Sequence, residues 1–262
     1  MNDSPIGIFD SGVGGLSVLL EIIALLPAES LLYVADSAHA PWGDKPRDFI
    51  RDRGLAISRF LLDRGAKAIV IGSNTGTAGA AEALRAELDV PVIGMEPGIK
   101  PAVAATRSGV VGAMVTATMG TSDRMASLLD RFGHDVRVIS QPVPGLVEHV
   151  EAADLDSPAL RELLGGYLAP MLAAGADTIV LGSTHYVFLR PLIKEIAGEG
   201  VTLVDTGAAV ARQLKRRLAE ADLLARDGAQ ATLRFWSSSD ASESTRVVSL
   251  LLGRKVEVDT LP

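Results

Sequence analysis

The sequence predicts an α/β fold: two pseudo-symmetric α/β domains with mainly parallel sheets, and an active site in the cleft between them. Three features point there. Short unbroken aliphatic runs alternate with helix-length amphipathic stretches. The segment GAKAIVIGSNT at 65–75 is written again as GADTIVLGSTH at 175–185. Each copy is also preceded by a strand-like run that opens into small and hydroxylated residues, DSGVGG after 6–9 and TATMGT after 110–115.

Residues 6–9, 31–35, 68–71 and 90–93 are short, rich in Val, Ile and Leu and free of polar alternation, as strands buried on both faces must be. Between them, 16–26, 46–64 and 77–88 repeat apolar residues at three-to-four spacing and read as helices. Asp63-Arg64-Gly65 supplies a stop, since glycine readily takes the left-handed conformation that ends helices. The second half repeats the pattern with strands 110–115, 136–139, 178–181 and 201–204 and helices 122–132 and 158–173. Helix 208–220 follows, and the end of the chain reads as strands 233–236 and 255–258 flanking a helix. The Pro- and Gly-rich stretch 92–101 has the composition of a crossover between halves.

Composition narrows the function. With 262 residues, 48% of them hydrophobic and 22% charged, the chain can bury a real core. A formal net charge of -7 argues against nucleic acid as a partner, because a phosphate-binding surface needs a basic excess that no segment shows. No apolar run approaches the ~18 residues of a membrane span, and MNDSPIGIFDSG has neither the basic flank nor the apolar core of a signal peptide. A cytoplasmic protein with a small polar ligand and no membrane partner is the expectation. There is no cysteine, and His39, His134, His149 and His185 show no paired ligand spacing, so no metal is expected.

The repeat places Ser73 and Ser183 at equivalent strand ends, where ligands collect in parallel sheets. Asp10, Ser11, Asn74, Thr75, Thr116, Thr184 and His185 also lie just beyond strands, a set of donors suited to carboxylates. Taken singly, Ser11 and Thr75 would be helix caps; as a set from both halves they favour a ligand. A serine hydrolase is set aside, because GSNTG is not a nucleophile elbow and two neighbours on one strand end make no relay.

IGIFDSGVGGLSV, APWGDKP, IGSNTGTA, VIGMEPG and LGSTHY, in this order over nearly the whole chain, closely resemble glutamate racemase, a bacterial amino-acid racemase family of cell-wall peptidoglycan synthesis. The resemblance implies two α/β domains, residues 1–98 with 208–262 and an inserted 99–207. It implies no cofactor, with L- and D-glutamate interconverted by a base and an acid on opposite faces of the amino acid. The family writes Cys-Asn-Thr where Ser73-Asn74-Thr75 stands and Cys-Thr-His where Ser183-Thr184-His185 stands, so both catalytic thiols are alcohols here. It also assigns helper roles to Asp10, His185 and Glu151, and pocket positions to Pro41, Trp42 and Gly43. Trp42 replaces the usual tyrosine, Gly76 an alanine, Val187 a proline, and Met119 the second threonine of a Thr-x-x-Thr pattern that begins at Thr116.

Each transferred residue has an ordinary reading beside the functional one. Asp10 can form a turn, His185 can be a satisfied core histidine, Glu151 can face solvent, and Trp42 and Met119 can pack in the core. Three functions follow: a racemase scaffold impaired by its serines, a superfamily decarboxylase or isomerase for a more apolar carboxylic acid, or a non-catalytic binding protein. The family's dimers make a homodimer one implied state, with Leu250-Leu251-Leu252 serving an interface or the core.

Overall fold

A computed structural model of the chain describes residues 2–116, 123–132 and 136–262; Met119 and His134 lie outside these. In chain order the strands are β1 Ile6–Asp10, β2 Leu31–Ala35, β3 Ala68–Ile71, β4 Val92–Ile93, β5 Val110–Val115, β6 Arg137–Pro142, β7 Thr178–Leu181, β8 Thr202–Val204, β9 Leu233–Ser237 and β10 Val258–Thr260. The helices are α1 Leu16–Leu25, α2 Arg47–Leu62, α3 Asn74–Glu87, α4 Ile99–Ala105, α5 Asp123–Phe132, α6 Leu146–Glu151, α7 Pro158–Ala173, α8 Arg190–Ala197, α9 Gly207–Glu220 and α10 Ala241–Leu252.

The chain divides into two units, Met1–Met95 with Gly207–Pro262, and Glu96–Thr206. The first contains a six-stranded sheet in the order β10-β9-β2-β1-β3-β4. Every pairing is parallel, with Ile6 opposite Leu31 on one side and Ala68 on the other. β1, β2 and β3 are central and wholly buried, which is why their sequences are unbroken aliphatic runs. Each fully buried Ile or Phe, such as Ile8 and Phe9, contributes about 1.5–3 kcal/mol of transfer free energy. Phe9, Ile69, Ile71, Ile57, Leu61 and Leu84 belong to one cluster between this sheet and helices α2 and α3.

The second unit contains a four-stranded parallel sheet, β6-β5-β7-β8. Val111, Ala113, Val115 and Val180 pack with Ile99 and Ala102 of α4. The expectation that every strand is buried fails at the edges. β6 has only exposed and half-buried residues and β8 is at best half-buried, because each has a partner strand on one side only. β10 begins at Val258 rather than 255, again at an edge. The crossover stretch is not all loop, since α4 starts at Ile99.

The repeat is visible in the backbone. α2 ends with Gly65 at φ 83° and α7 with Gly175 at φ 88°, a conformation that suits glycine. The Gly65 and Ala66 N–H groups donate to Leu62 and Leu61, and those of Gly175 and Ala176 donate to Leu172 and Met171. Both helices therefore close with the same two-bond cap and turn directly into β3 and β7.

Candidate active site

In the first unit, the chain leaves β3 through Gly72, whose N–H donates to the Phe9 carbonyl of β1 at 2.7 Å. Ser73 follows with extended backbone and caps α3, its Oγ accepting from the Gly76 N–H at 3.0 Å. That is the only hydrogen bond of the Ser73 hydroxyl among the described residues. Asn74 is buried and Thr75 half-buried on the first turn. Asp10 is fully buried at the end of β1 and acts as the turn-former: its carboxylate accepts from the Ser11 N–H at 2.6 Å and the Gly15 N–H at 2.7 Å. The Ser11 hydroxyl adds a longer contact of 3.3 Å.

Asp36, one residue past β2, is a buried carboxylate to which the sequence reading gives no role. Fully buried, it receives Arg53 Nε at 3.0 Å and Arg53 Nη2 at 2.5 Å, Trp42 Nε1 at 3.1 Å and His39 Nδ1 at 3.0 Å. Burial alone would push its carboxyl up, but the Arg53 hydrogen bond and charge, with Ser238 and His39, outweigh this and hold it below the usual aspartate range. Trp42 is 1% exposed, tilted against Phe9 at 6.2 Å, and its N–H is spent on Asp36. That is the packing reading of Trp42. Pro41 is exposed and Gly43 half-buried beside it. The signal available in the sequence was position: Asp36 follows β2 as Asp10 ends β1.

In the second unit, Gly182 repeats the role of Gly72, donating to the Met114 carbonyl of β5 at 2.9 Å. A Cβ on Gly182 would fall inside van der Waals contact of that same oxygen. Ser183, half-buried, caps a two-turn 3-10 helix, Thr184–Leu189, and its Oγ lies 3.3 Å from His185 Nδ1. His185 is 4% exposed, and its Nε2 meets Glu151 Oε1 at 2.6 Å. Glu151 is the last residue of α6, so 34 residues of chain separate it from the histidine it binds. Glu151 therefore does not simply face solvent. Two neighbours on one strand end make no relay alone, but here a third residue, brought by α6, completes a carboxylate, imidazole and hydroxyl series. Thr184 is buried next to it, and Thr116 sits half-buried just past β5. Met119 lies outside the described residues.

His149 and His39, given no role from the sequence, each hold an aspartate, Asp154 at 2.8 Å and Asp36 at 3.0 Å. Among the described residues no group of three His, Asp or Glu side chains is placed to hold a metal ion. No described helix is long and apolar enough to cross a membrane.

The Asp/Glu/Hydantoin racemase family profile matches residues 10–214. A glutamate racemase of Ectopseudomonas mendocina is 57% identical over 98% of this chain and 99% of its own length. The chain belongs to the glutamate racemases of that family. Two solved glutamate racemases share the fold. Glutamate racemase isoform RacE1 from Bacillus anthracis superposes with a TM-score of 0.87 at 31% identity, covering 100% of this chain and 98% of that one. The Escherichia coli glutamate racemase, solved with L-glutamate and the activator UDP-MurNAc-ala, gives a TM-score of 0.86 at 32% identity over 98% and 97% of the two chains.

Proposed function

We propose that the chain binds glutamate in the manner of the glutamate racemases to which it belongs, and exchanges its α-proton slowly because alcohols stand at both proton-transfer positions. The observation that carries this reading is the matched pair of exits, Gly72-Ser73 and Gly182-Ser183. Each glycine N–H is bonded to the neighbouring strand, and each serine sits with extended backbone at the start of a helical turn. Inversion at the α-carbon needs a base on one face and an acid on the other. Ser73 and Ser183 are the residues proposed for those positions, with Asp10, and with His185 and Glu151, as their helpers. Asn74, Thr75, Ser11, Thr116 and Thr184 are the proposed donors to the substrate carboxylates.

The thiol-to-alcohol change keeps size and loses acidity. A free thiol titrates at about 8.5, whereas an alkyl alcohol is far less acidic. The basic form of an unassisted serine is thus scarcer than that of cysteine by many powers of ten at neutral pH. Binding is kept; turnover is not. Incubation with L-glutamate in deuterated water should show binding by calorimetry and very slow α-deuteration by proton NMR. Changing both Ser73→Cys and Ser183→Cys should raise exchange by about 10³-fold or more, within the range general acid-base groups contribute. No gain in exchange of either glutamate or aspartate in the folded double variant would overturn the reading. The assembly proposed with it is a homodimer; on α10, Leu250 is exposed and Leu251 belongs to the core.

A further inference from the structure

The two serines sit at equivalent points of the repeat, yet their chemistry differs. Ser73 meets a backbone N–H, and among the described residues no imidazole stands beside it. Ser183 Oγ also accepts from a backbone N–H, that of His185 at 3.4 Å, but it lies 3.3 Å from the same residue's Nδ1 as well, and the other ring nitrogen is held at 2.6 Å by a carboxylate. A carboxylate at Glu151 accepts from His185 Nε2, and in the neutral tautomer that makes this bond Nδ1 is the acceptor facing the Ser183 hydroxyl. The histidine is 4% exposed and fixed by a short bond to the carboxylate, whereas Ser183 is half-buried. These are the parts of an activated serine nucleophile, with hydroxyl, base and base-orienter in series.

We propose that Ser183 is an acylatable nucleophile and that the Glu151–His185–Ser183 series gives the chain a second activity, hydrolysis of small activated carboxylic esters. Oγ forms a bond to the acyl carbon as its proton passes to His185 Nδ1. The carbon–oxygen bond to the leaving aryloxide then breaks, and the imidazolium returns its proton to that oxygen. Water reverses the sequence: His185 takes a water proton, hydroxide adds to the acyl carbon, and the carboxylic acid leaves as Oγ regains a proton. His185 touches the reacting oxygen and is the catalytic base. Glu151 acts through it and is a positioning residue.

The proposal is independent of glutamate turnover and is tested on the whole chain without glutamate. Diisopropyl fluorophosphate should phosphorylate Ser183 in preference to Ser73, fluoride leaving and the Oγ proton passing to His185, with the adduct located by peptide mass spectrometry. 4-Nitrophenyl acetate should be hydrolysed with transient acetylation of the same residue. His185→Gln should slow labelling by about 10²-fold or more. Glu151→Gln should slow it comparably, and Glu151→Asp, which restores a carboxylate, should recover part of the rate while a neutral amide does not. Far-UV circular dichroism and melting of each variant separate lost chemistry from lost fold. A folded wild-type chain that leaves Ser183 unmodified at saturating reagent overturns the proposal, as does a folded His185→Gln variant labelled at the wild-type rate.

Discussion

At the scale of single residues, Asp36 shows how a charge in the first unit is kept ionised by its neighbours. Its carboxylate is fully buried and receives Arg53 twice, Trp42 and His39. The net effect is a folded-state pKa below the ordinary value, so Asp36 is a lowered carboxylate and the sign of its linkage follows. Its stabilisation is fully present above the unfolded-state value of about 3.9 and is lost as pH falls through the lower folded-state value. Asp36→Asn should therefore cost about 2 kcal/mol at pH 5, a figure reduced from that of a fully buried pair because Arg53 remains 26% exposed. Urea unfolding should show the gap between variant and wild type narrowing below about pH 3.9. A gap that widens on acidification would contradict the assignment. The same residues mark what sequence reading reaches at a site. Ser183 and His185 are legible together because they share one motif, but Glu151 reaches His185 only through the packing of α6. Asp36 is silent in sequence because its meaning lies in Arg53, 17 residues away on a helix.

At the scale of elements, buried strands declare themselves and edges do not. β2, β3, β5 and β7 match their sequence-derived bounds residue for residue, because a strand covered on both faces must be written as an unbroken aliphatic run. β6 and β10 differ from their sequence-derived bounds, since an exposed edge admits Arg137, Ser140 and Asp259. The missed helices α4, α6 and α8 have 7, 6 and 8 residues, about two turns or fewer, too short for a helical period to register. The repeat itself makes a further test. Gly72 and Gly182 occupy equivalent exits, yet a Cβ on Gly72 would lie 3.2 Å from the Phe9 oxygen while one on Gly182 would overlap the Met114 oxygen. Backbone atoms on a paired strand cannot swing aside, so Gly182→Ala should cost at least about 3 kcal/mol and Gly72→Ala about 1 kcal/mol. Thermal melts of the two variants read this directly. Equal losses would mean that the β5–β7 exit is as accommodating as the β1–β3 exit.

At the scale of the whole molecule, the chain leaves its first unit at Met95 and rejoins it at Gly207, so that unit must be held together by contacts between distant segments. One buried ion pair carries much of this. Glu29, just before β2, and Lys67, just before β3, meet at 2.6 Å with both side chains 2% exposed. The Glu29 carboxylate also accepts from the Ala225 N–H at 2.8 Å, and Lys67 Nζ donates to the Asn2 carbonyl. Two charges thus tie the N-terminal strand region, two strand entries and the returning C-terminal segment at one point. Removing both charges from water costs several kcal/mol each, an expense their attraction offsets only while the pair is complete. Lys67→Met, which strands Glu29 as a lone buried charge, should lower stability by about 3–5 kcal/mol. Adding Glu29→Gln keeps an acceptor for Ala225 and removes the stranded charge, so the double variant should be more stable than the single one despite carrying one more substitution. Equilibrium unfolding of the wild type, both single variants and the double variant closes the cycle. Additive losses would show that the two side chains are not coupled, and the joining of the C-terminal segment to the sheet would then rest on backbone bonds such as Leu31 N–H to the Thr232 carbonyl.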